Sequence, residues 1–488
     1  MGRRTVPALP VAVALGSLVA GVALPGCANG EGAVRPPSGV VSTTTTTLPP
    51  GVAGPGADDV GDPYYPGLGN GGYDVSHYRL DLTWTPEGER LDGVATVEAT
   101  ATQRLSSFDL DLVGLDVDGA TVDGAAAEVA RRGERELVVT PPETIRRGDT
   151  FTVEVTYGGT PEPLPTRSGV VEPGWISDGR EVHVIAEPDG ASTFFPVNDH
   201  PRDKATYELR ITAPASMDVV ANGQRTAHDA VAGGGLWVYE MTEPMASYLV
   251  QVVIADDLEF DERDEDDDGV TLRHAFDSDV ADQAREAMEP TADMIAVFEE
   301  LFGPYPFESY GAVVVDEPLG LALETQTLPL FGVDALGSET LVAHELAHQW
   351  FGNHVSPVSW RDVWLNEGFA TYAEWLWSEE TGGATADDIA GTIDGDDLGV
   401  PPGDPGPDQL FGPSVYQRGA LTLHVLRHEL GDDVFFHLLR TWVERYGGRS
   451  ASSADFEELA EAAADHNLDA LFDAWLRSTQ MPDLDDWT

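Results

Sequence analysis

The spacing of apolar residues changes character near residue 257, and this change constrains the fold more than any other feature. In residues 73–255 apolar and polar side chains alternate, as they do in strands that bury one face. From residue 258 onward the apolar residues recur at helical spacing. The alternating runs lie at 78–84, 108–112 and 151–157, and the helical ones at 291–302, 456–464 and 468–476. The pattern predicts an α+β protein with several domains, in which an antiparallel β domain (71–257) precedes a mainly helical domain (258–488).

The first 27 residues have the pattern of an export signal. Arg3 and Arg4 precede an apolar run, 6–24, that is too short and too interrupted by proline for a comfortable membrane span. The run ends in Ala-Leu-Pro-Gly-Cys at 23–27, which resembles a bacterial lipoprotein box. We therefore expect an exported protein that is anchored to the membrane by a lipid on Cys27. An ordinary cleaved signal peptide and a secreted protein are the alternative.

Residues 28–70 are rich in Gly, Pro, Thr and Ser. A segment of this composition buries too little apolar surface to offset the entropy of ordering its backbone. The composition predicts a disordered linker between the anchor and the folded domains.

The charge of the chain excludes one class of partner. There are 85 Asp plus Glu residues against 27 Lys plus Arg, a formal net charge of -58. Nucleic acid would meet a field of its own sign, so it is not expected as a partner. Contact with a membrane is expected only through the lipid on Cys27.

One acidic segment, 261–269, has the beginning of a calcium-loop pattern. Asp264, Asp266, Asp268 and Gly269 stand at suitable places, but Ala275 occupies the position where such loops carry glutamate. A solvated acidic loop is the preferred interpretation.

A candidate metal site begins with the pentapeptide His-Glu-Leu-Ala-His. His344 and His348 are four residues apart, so both imidazoles project from one face of a helix and can take two positions around zinc. Glu345 lies beside that face, where it can take a proton from an activated water. Ser338 is a suitable N-cap for the helix and Gly352 a suitable stop.

Glu367 is the candidate third ligand. It follows His348 after 18 residues, at the start of what reads as a second helix. Two histidines and a carboxylate leave a fourth position open, as catalytic zinc sites do and structural ones do not. A buried histidine pair without a metal is the alternative.

These motifs resemble the gluzincin aminopeptidases, the family of aminopeptidase N and leukotriene hydrolase. The resemblance spans about 73–481 and rests on the His-Glu-x-x-His motif, on Asn-Glu-Gly-Phe-Ala at 366–370 and on Asn-Asp-His-Pro at 198–201. It identifies the chain as a short, bacterial lipoprotein-like member. It implies a saddle-shaped β domain followed by a thermolysin-like catalytic domain, with one zinc ion per chain.

The resemblance also implies roles for three residues outside the zinc motif. Segment 321–325 matches the family's exopeptidase signature only at Ala322 and Glu324. Glu324, together with Glu187 of a Glu-Pro segment, would bind the ammonium group of a peptide's first residue. Tyr416 would donate its hydroxyl to the oxyanion of the tetrahedral intermediate.

Glu374, about two helical turns beyond Glu367, would either hold a zinc-binding histidine or simply pack.

The resulting hypothesis is a zinc aminopeptidase that hydrolyses the first bond of peptides, with Glu345 as general base. Three alternatives stay open. A thermolysin-like endopeptidase or an epoxide hydrolase could use the same scaffold. A surface binding protein that has lost the chemistry is the third.

Overall fold

The first half of the folded chain consists of strands, as its alternating pattern predicts. The computed structural model describes residues 53–166, 172–263, 270–396 and 398–487. Strands β1 to β15 span Gly54–Pro55, Tyr73–Thr85, Arg90–Ala101, Leu105–Asp111, Asp116–Val122, Ala125–Arg132, Glu136–Thr140, Thr150–Gly159, Gly174–Ser177, Val182–Ile185, Lys204–Ala213, Asp218–Ala221, Gln224–Val231, Gly234–Ala246 and Val252–Ala255.

These strands form one large and one small sheet. The large sheet has the order β1-β4-β7-β6-β5-β8-β3-β2-β11-β14-β13, and the small one the order β12-β15-β10-β9. Most neighbours are antiparallel, as predicted, but β2 lies parallel to β11 and β1 parallel to β4. The parallel pairing of β2 with β11, in the interior of the large sheet, is possible because the two strands are far apart in sequence and no hairpin joins them.

The second half combines helices with a mixed sheet. Strands β16 to β23 span Leu258–Arg263, Thr271–Asp277, Ser309–Tyr310, Val313–Val315, Ala322–Leu323, Leu330–Gly332, Val355–Pro357 and Arg449–Ala451. Helices α1 to α9 span Ala281–Met288, Thr291–Phe302, Glu339–Ala347, Trp364–Glu380, Ala386–Ala390, Gly419–Leu430, Asp432–Tyr446, Ser453–Ala464 and Asp469–Phe472. Strands β16, β17, β19, β21 and β20 pair in that order, β18 pairs with β17, and β22 pairs with β23.

Two of the three segments with helical apolar spacing lie in single α-helices, as predicted. The run 291–302 coincides with α2, and 456–464 lies within α8. The run 468–476 is split between α9 and a five-residue π-helical segment, Asp473–Arg477. Within the described ranges no helix is both long enough and apolar enough to cross a membrane.

The predicted linker is wrong over the part that the structure describes. Residues 53–70 are folded against the β domain: β1 pairs with β4, and Tyr64, Tyr65 and Leu68 are buried. A few aromatic and aliphatic side chains supply the burial that the average composition of the segment conceals. Residues 28–52 lie outside the described residues.

Other sequence-based predictions also fall outside the described residues. They concern the leader with Cys27 and residues 264–269 of the acidic loop. Export, the lipid anchor and the character of that loop therefore stay predictions.

Asp62 connects the folded part of this segment to both halves of the chain. Its Oδ2 accepts hydrogen bonds from Ser359 Oγ and Trp360 N–H, both at 2.9 Å, and lies 3.2 Å from His200 Nε2. Its Oδ1 accepts from Tyr64 N–H at 2.8 Å. Burial opposes ionisation, but the hydrogen bonds from His200, Trp360 and Tyr64 outweigh it and hold the pKa of Asp62 well below its usual range.

We expect Asp62→Asn to lower the free energy of unfolding by about 3 kcal/mol, because the amide cannot accept from all of these donors and leaves buried ones unpaired. Urea unfolding measures the change. Asp58→Asn is the control, since Asp58 is largely exposed and pairs with Arg132, itself half exposed; its effect should stay within about 0.5 kcal/mol. Equal effects of the two substitutions would contradict the account.

Candidate active site

Helix α3 carries His344, and His348 is the residue directly after its last turn. Ser338 caps its N-terminus, where Ser338 Oγ accepts a hydrogen bond from Leu341 N–H at 3.2 Å. The helix ends at Ala347 rather than at Gly352, which lies farther along in the following turn with φ +117°. The imidazoles of His344 and His348 lie side by side, with ring centroids 4.7 Å apart.

Helix α4 places Glu367 opposite both histidines. Glu367 Oε2 lies 3.3 Å from His344 Nε2 and 3.5 Å from His348 Nε2. Bonds of about 2.0–2.2 Å in a tetrahedral array separate ligand atoms by about 3.3–3.6 Å. Both separations from Glu367 therefore match a zinc site, and the ligand atoms of all three buried side chains lie within 4.8 Å of one another. Burial opposes ionisation of Glu367, but the histidines beside it lower its pKa to about 2.

The other nitrogen of each imidazole is held by a partner. Glu374 Oε1 lies 2.8 Å from His344 Nδ1, and the Phe351 carbonyl lies 3.1 Å from His348 Nδ1. Both contacts turn the Nε2 atoms toward Glu367, as outer partners of zinc-binding histidines do. Of the two interpretations of Glu374, the structure favours contact with a histidine over plain packing.

Glu345 lies on the open side of the histidine pair. Its carboxylate is buried and comes within 4.8 Å of ligand atoms of His348 and Glu324. One of its oxygens, Oε2, is buried and makes no hydrogen bond. Burial raises the pKa of Glu345, and a divalent cation on the histidines would act in the opposite direction.

Glu187 and Glu324 lie beside the candidate zinc ligands, and the space bordered by these side chains and the two histidines is called the cleft. Their carboxylate oxygens come within 4.8 Å of each other and of a carboxylate oxygen of Glu367. Each has an Oε1 atom that is buried without a hydrogen-bond partner. Burial, followed by the repulsion between the two, raises the pKa of Glu187 well above its usual range. A cation bound between these two carboxylates would relieve their repulsion and pair with their free oxygens.

Two amide side chains without a role predicted from the sequence hold the backbone of Glu324. Asn353 Nδ2 donates to the Glu324 carbonyl at 2.6 Å, and Gln349 Nε2 donates to it at 3.3 Å. Both are fully buried. The signal that could have revealed them is their polarity within the apolar stretch that follows the histidines.

Tyr416 reaches the same cleft from a π-helical segment, Ser414–Arg418, that leads into α6. Its ring stacks on His344 with centroids 5.9 Å apart and planes 22° apart. Burial, then Glu367 and Glu187, raise the pKa of the hydroxyl well above its usual value. The hydroxyl therefore stays protonated and can donate a hydrogen bond.

Arg418 anchors the segment that carries Tyr416. Its guanidinium is fully buried and donates to the carbonyls of Leu398 at 3.0 Å and of Ala474 and Ser478 at 2.8 Å. These bonds connect the Tyr416 segment to the C-terminal part of the chain.

Two family models match this chain. Residues 74–249 match the peptidase M1 N-terminal domain, and residues 286–396 and 402–475 match the peptidase family M1 domain.

Among curated proteins, human aminopeptidase RNPEPL1 is 28% identical over 398 residues, which cover 71% of this chain and 51% of that protein. Aminopeptidase M1 of Arabidopsis thaliana is 28% identical over 330 residues, 61% of this chain and 36% of that protein. The chain thus spans about a third to a half of the length of these relatives.

The matches to solved structures cover a larger share of both chains. A mutant M1 zinc metallopeptidase from Deinococcus radiodurans, bound to a Tyr-Ser-Ala substrate, is 32% identical with a TM-score of 0.82. The match covers 87% of this chain and 99% of that one. Yeast LTA4 hydrolase, at 22% identity and a TM-score of 0.71 over 84% of this chain and 69% of its own, shares the fold.

We expect Glu374→Gln to weaken zinc binding by roughly 10- to 100-fold, because the carboxylate that orients His344 and strengthens it as a ligand is lost. Competition with a chromogenic chelator measures the affinity directly.

The matched control is Glu380→Gln, an exposed glutamate on the same helix. It should leave the zinc affinity unchanged. If both substitutions behave alike, Glu374 has no part in holding the metal ligand.

Proposed function

The chain belongs to peptidase family M1, and on that premise we propose that it is a zinc-dependent aminopeptidase that removes the first residue of peptides. The observation that carries the proposal is the pair of carboxylates at one end of the cleft. Glu187 and Glu324 place unpaired, buried carboxylate oxygens beside the candidate zinc ligands. A free α-ammonium group bound there would leave the first peptide bond at the metal.

His344, His348 and Glu367 would hold a zinc ion, which would supply a Lewis acid for the scissile carbonyl and for the attacking water. Glu345 is the general base in this proposal. Its buried carboxylate, close to His348, takes the proton of the attacking water and passes it to the leaving amine.

Tyr416 stabilises the charge that develops on the carbonyl oxygen. Its hydroxyl is protonated, and stacking on His344 fixes its ring. A donor held in this way acts on the transition state without reorganising.

Glu187 and Glu324 select the substrate by charge. A peptide whose N-terminus is blocked, or a chain that runs through the cleft, would cover these carboxylates without supplying a cation. This cost disfavours an endopeptidase. The alternative of an epoxide hydrolase is supported only by the fold that this chain shares with yeast LTA4 hydrolase. A binding protein without catalysis would be expected to lack a ligand or the base, and His344, His348, Glu367 and Glu345 are all in place.

The test compares two peptides of one sequence, with a free and with an acetylated N-terminus. We expect the zinc-loaded protein to release the first residue of the free peptide and to leave the acetylated one intact. Glu324→Gln should lower kcat/KM for the free peptide roughly 30-fold or more, since a buried charge loses its partner. Mass spectrometry of the products decides, and internal cleavage of the acetylated peptide would refute the proposal.

Glu345→Gln is the control for the chemistry. It should lower kcat by about 10²- to 10⁴-fold while the zinc content stays the same. Glu339→Gln, at an exposed position of the same helix, should change neither.

A further inference from the structure

A second group of potential metal ligands lies on helices α5 and α6, outside the cleft. His424 and His428 are four residues apart on α6, with ring centroids 4.8 Å apart. Asp387 of α5 faces both: its Oδ1 lies 3.3 Å from His424 Nε2 and 2.7 Å from His428 Nε2. The three ligand atoms all lie within 4.8 Å of one another.

We propose that Asp387, His424 and His428 form a second site for a divalent transition-metal ion, with zinc as the best match. Two imidazoles and one carboxylate are ligands that zinc takes readily. The 3.3 Å between Asp387 Oδ1 and His424 Nε2 equals the distance between Glu367 Oε2 and His344 Nε2 in the candidate catalytic zinc site. A shift of about 0.6 Å would bring His428 to the same spacing, a movement that its partly exposed side chain allows.

The surroundings orient the inner ligand. His424 is buried, and its Nδ1 lies 3.4 Å from the Tyr372 hydroxyl, so its Nε2 is directed at Asp387. Asp387 and His428 are more exposed and border an open cavity of about 400 Å³. Solvent can therefore complete the coordination of an ion bound here.

The charges around the cavity also favour a cation. Arg427 pairs with Glu379 at 2.9 Å and with Asp432 at 2.8 Å. Together with Asp387, the lining has three carboxylates and one guanidinium, which leaves two negative charges uncompensated when the histidines are neutral. A divalent ion would balance them.

The local fold fixes Asp387 where the ligand is needed. Thr385 and Asp388 form a capping box at the start of α5, and Ala386 N–H donates to Glu379 Oε2 at 2.8 Å. A metal bound by Asp387 and the two histidines would connect this short helix to α6, which follows the segment of Tyr416. The site is thus built to stabilise this region rather than to touch substrate.

Zinc titration of the full-length protein, stripped of metal by a chelator, tests the proposal. We expect the wild type to bind two equivalents. His428→Ala and Asp387→Asn should each retain one, with the affinity for the other reduced by roughly tenfold or more. His348→Ala should also retain one, which assigns the remaining equivalent to the second site.

His466→Ala is the matched control. His466 is exposed, and its Nε2 lies 2.9 Å from Glu429 Oε1. This pair resembles that of His428 and Asp387 but contains one histidine instead of two. This variant should still bind two equivalents. One equivalent in the wild type, or two in both His428→Ala and Asp387→Asn, would overturn the proposal. Since the substituted side chains are exposed or partly so, either variant alone suffices if the other does not fold.

Discussion

Mutual repulsion of buried carboxylates is the constraint on which this active site depends. Glu187, Glu324, Glu345 and Glu367 crowd around one histidine pair, and three of them have oxygens that are buried without a hydrogen bond. In a low-dielectric interior such a group is tolerated only with compensating positive charge. A dication on the histidines and Glu367, together with the ammonium that we propose to bind at Glu187 and Glu324, would supply three positive charges. The fourth carboxylate, Glu345, is the one for which we propose a proton-transfer role.

Rigid backbone elements hold these charges in place. Helices α3 and α4 carry His344, Glu367 and Glu374, and His348 directly follows α3, so the separations within the site follow from helix packing. Tyr416 depends on Arg418, whose buried guanidinium binds carbonyls far along the chain. Since buried contacts fix His344, His348 and the ring of Tyr416, this part of the site is preorganised for charges that arrive with metal and substrate.

The sequence could predict the placement of site residues that lie close together along the chain. The four-residue spacing of His344 and His348 defines one helical face, and Ser338 caps that helix as expected. Glu187 and Glu324 came from a family resemblance alone, because they lie on separate segments and no periodicity relates them. The structure brings them together, while their roles stay predictions.

The errors have equally physical causes. Average composition predicted disorder for residues 53–70, although Asp62 and a few aromatic side chains fold them onto both halves of the chain. The pair His424 and His428 has the same four-residue spacing as His344 and His348, but the sequence alone shows no third ligand for it. Its third partner, Asp387, stands on another helix, and only the fold reveals that they meet.

The central claim is that the acidic end of the cleft binds the N-terminal ammonium of a peptide beside zinc. A crystal structure of zinc-loaded Glu345→Gln protein soaked with a tripeptide tests it most directly, with anomalous scattering at the zinc edge. The account predicts a peak between His344, His348 and Glu367, and a peptide nitrogen within hydrogen-bonding distance of Glu324 and Glu187. A peptide that runs past these carboxylates with its N-terminus elsewhere would contradict it.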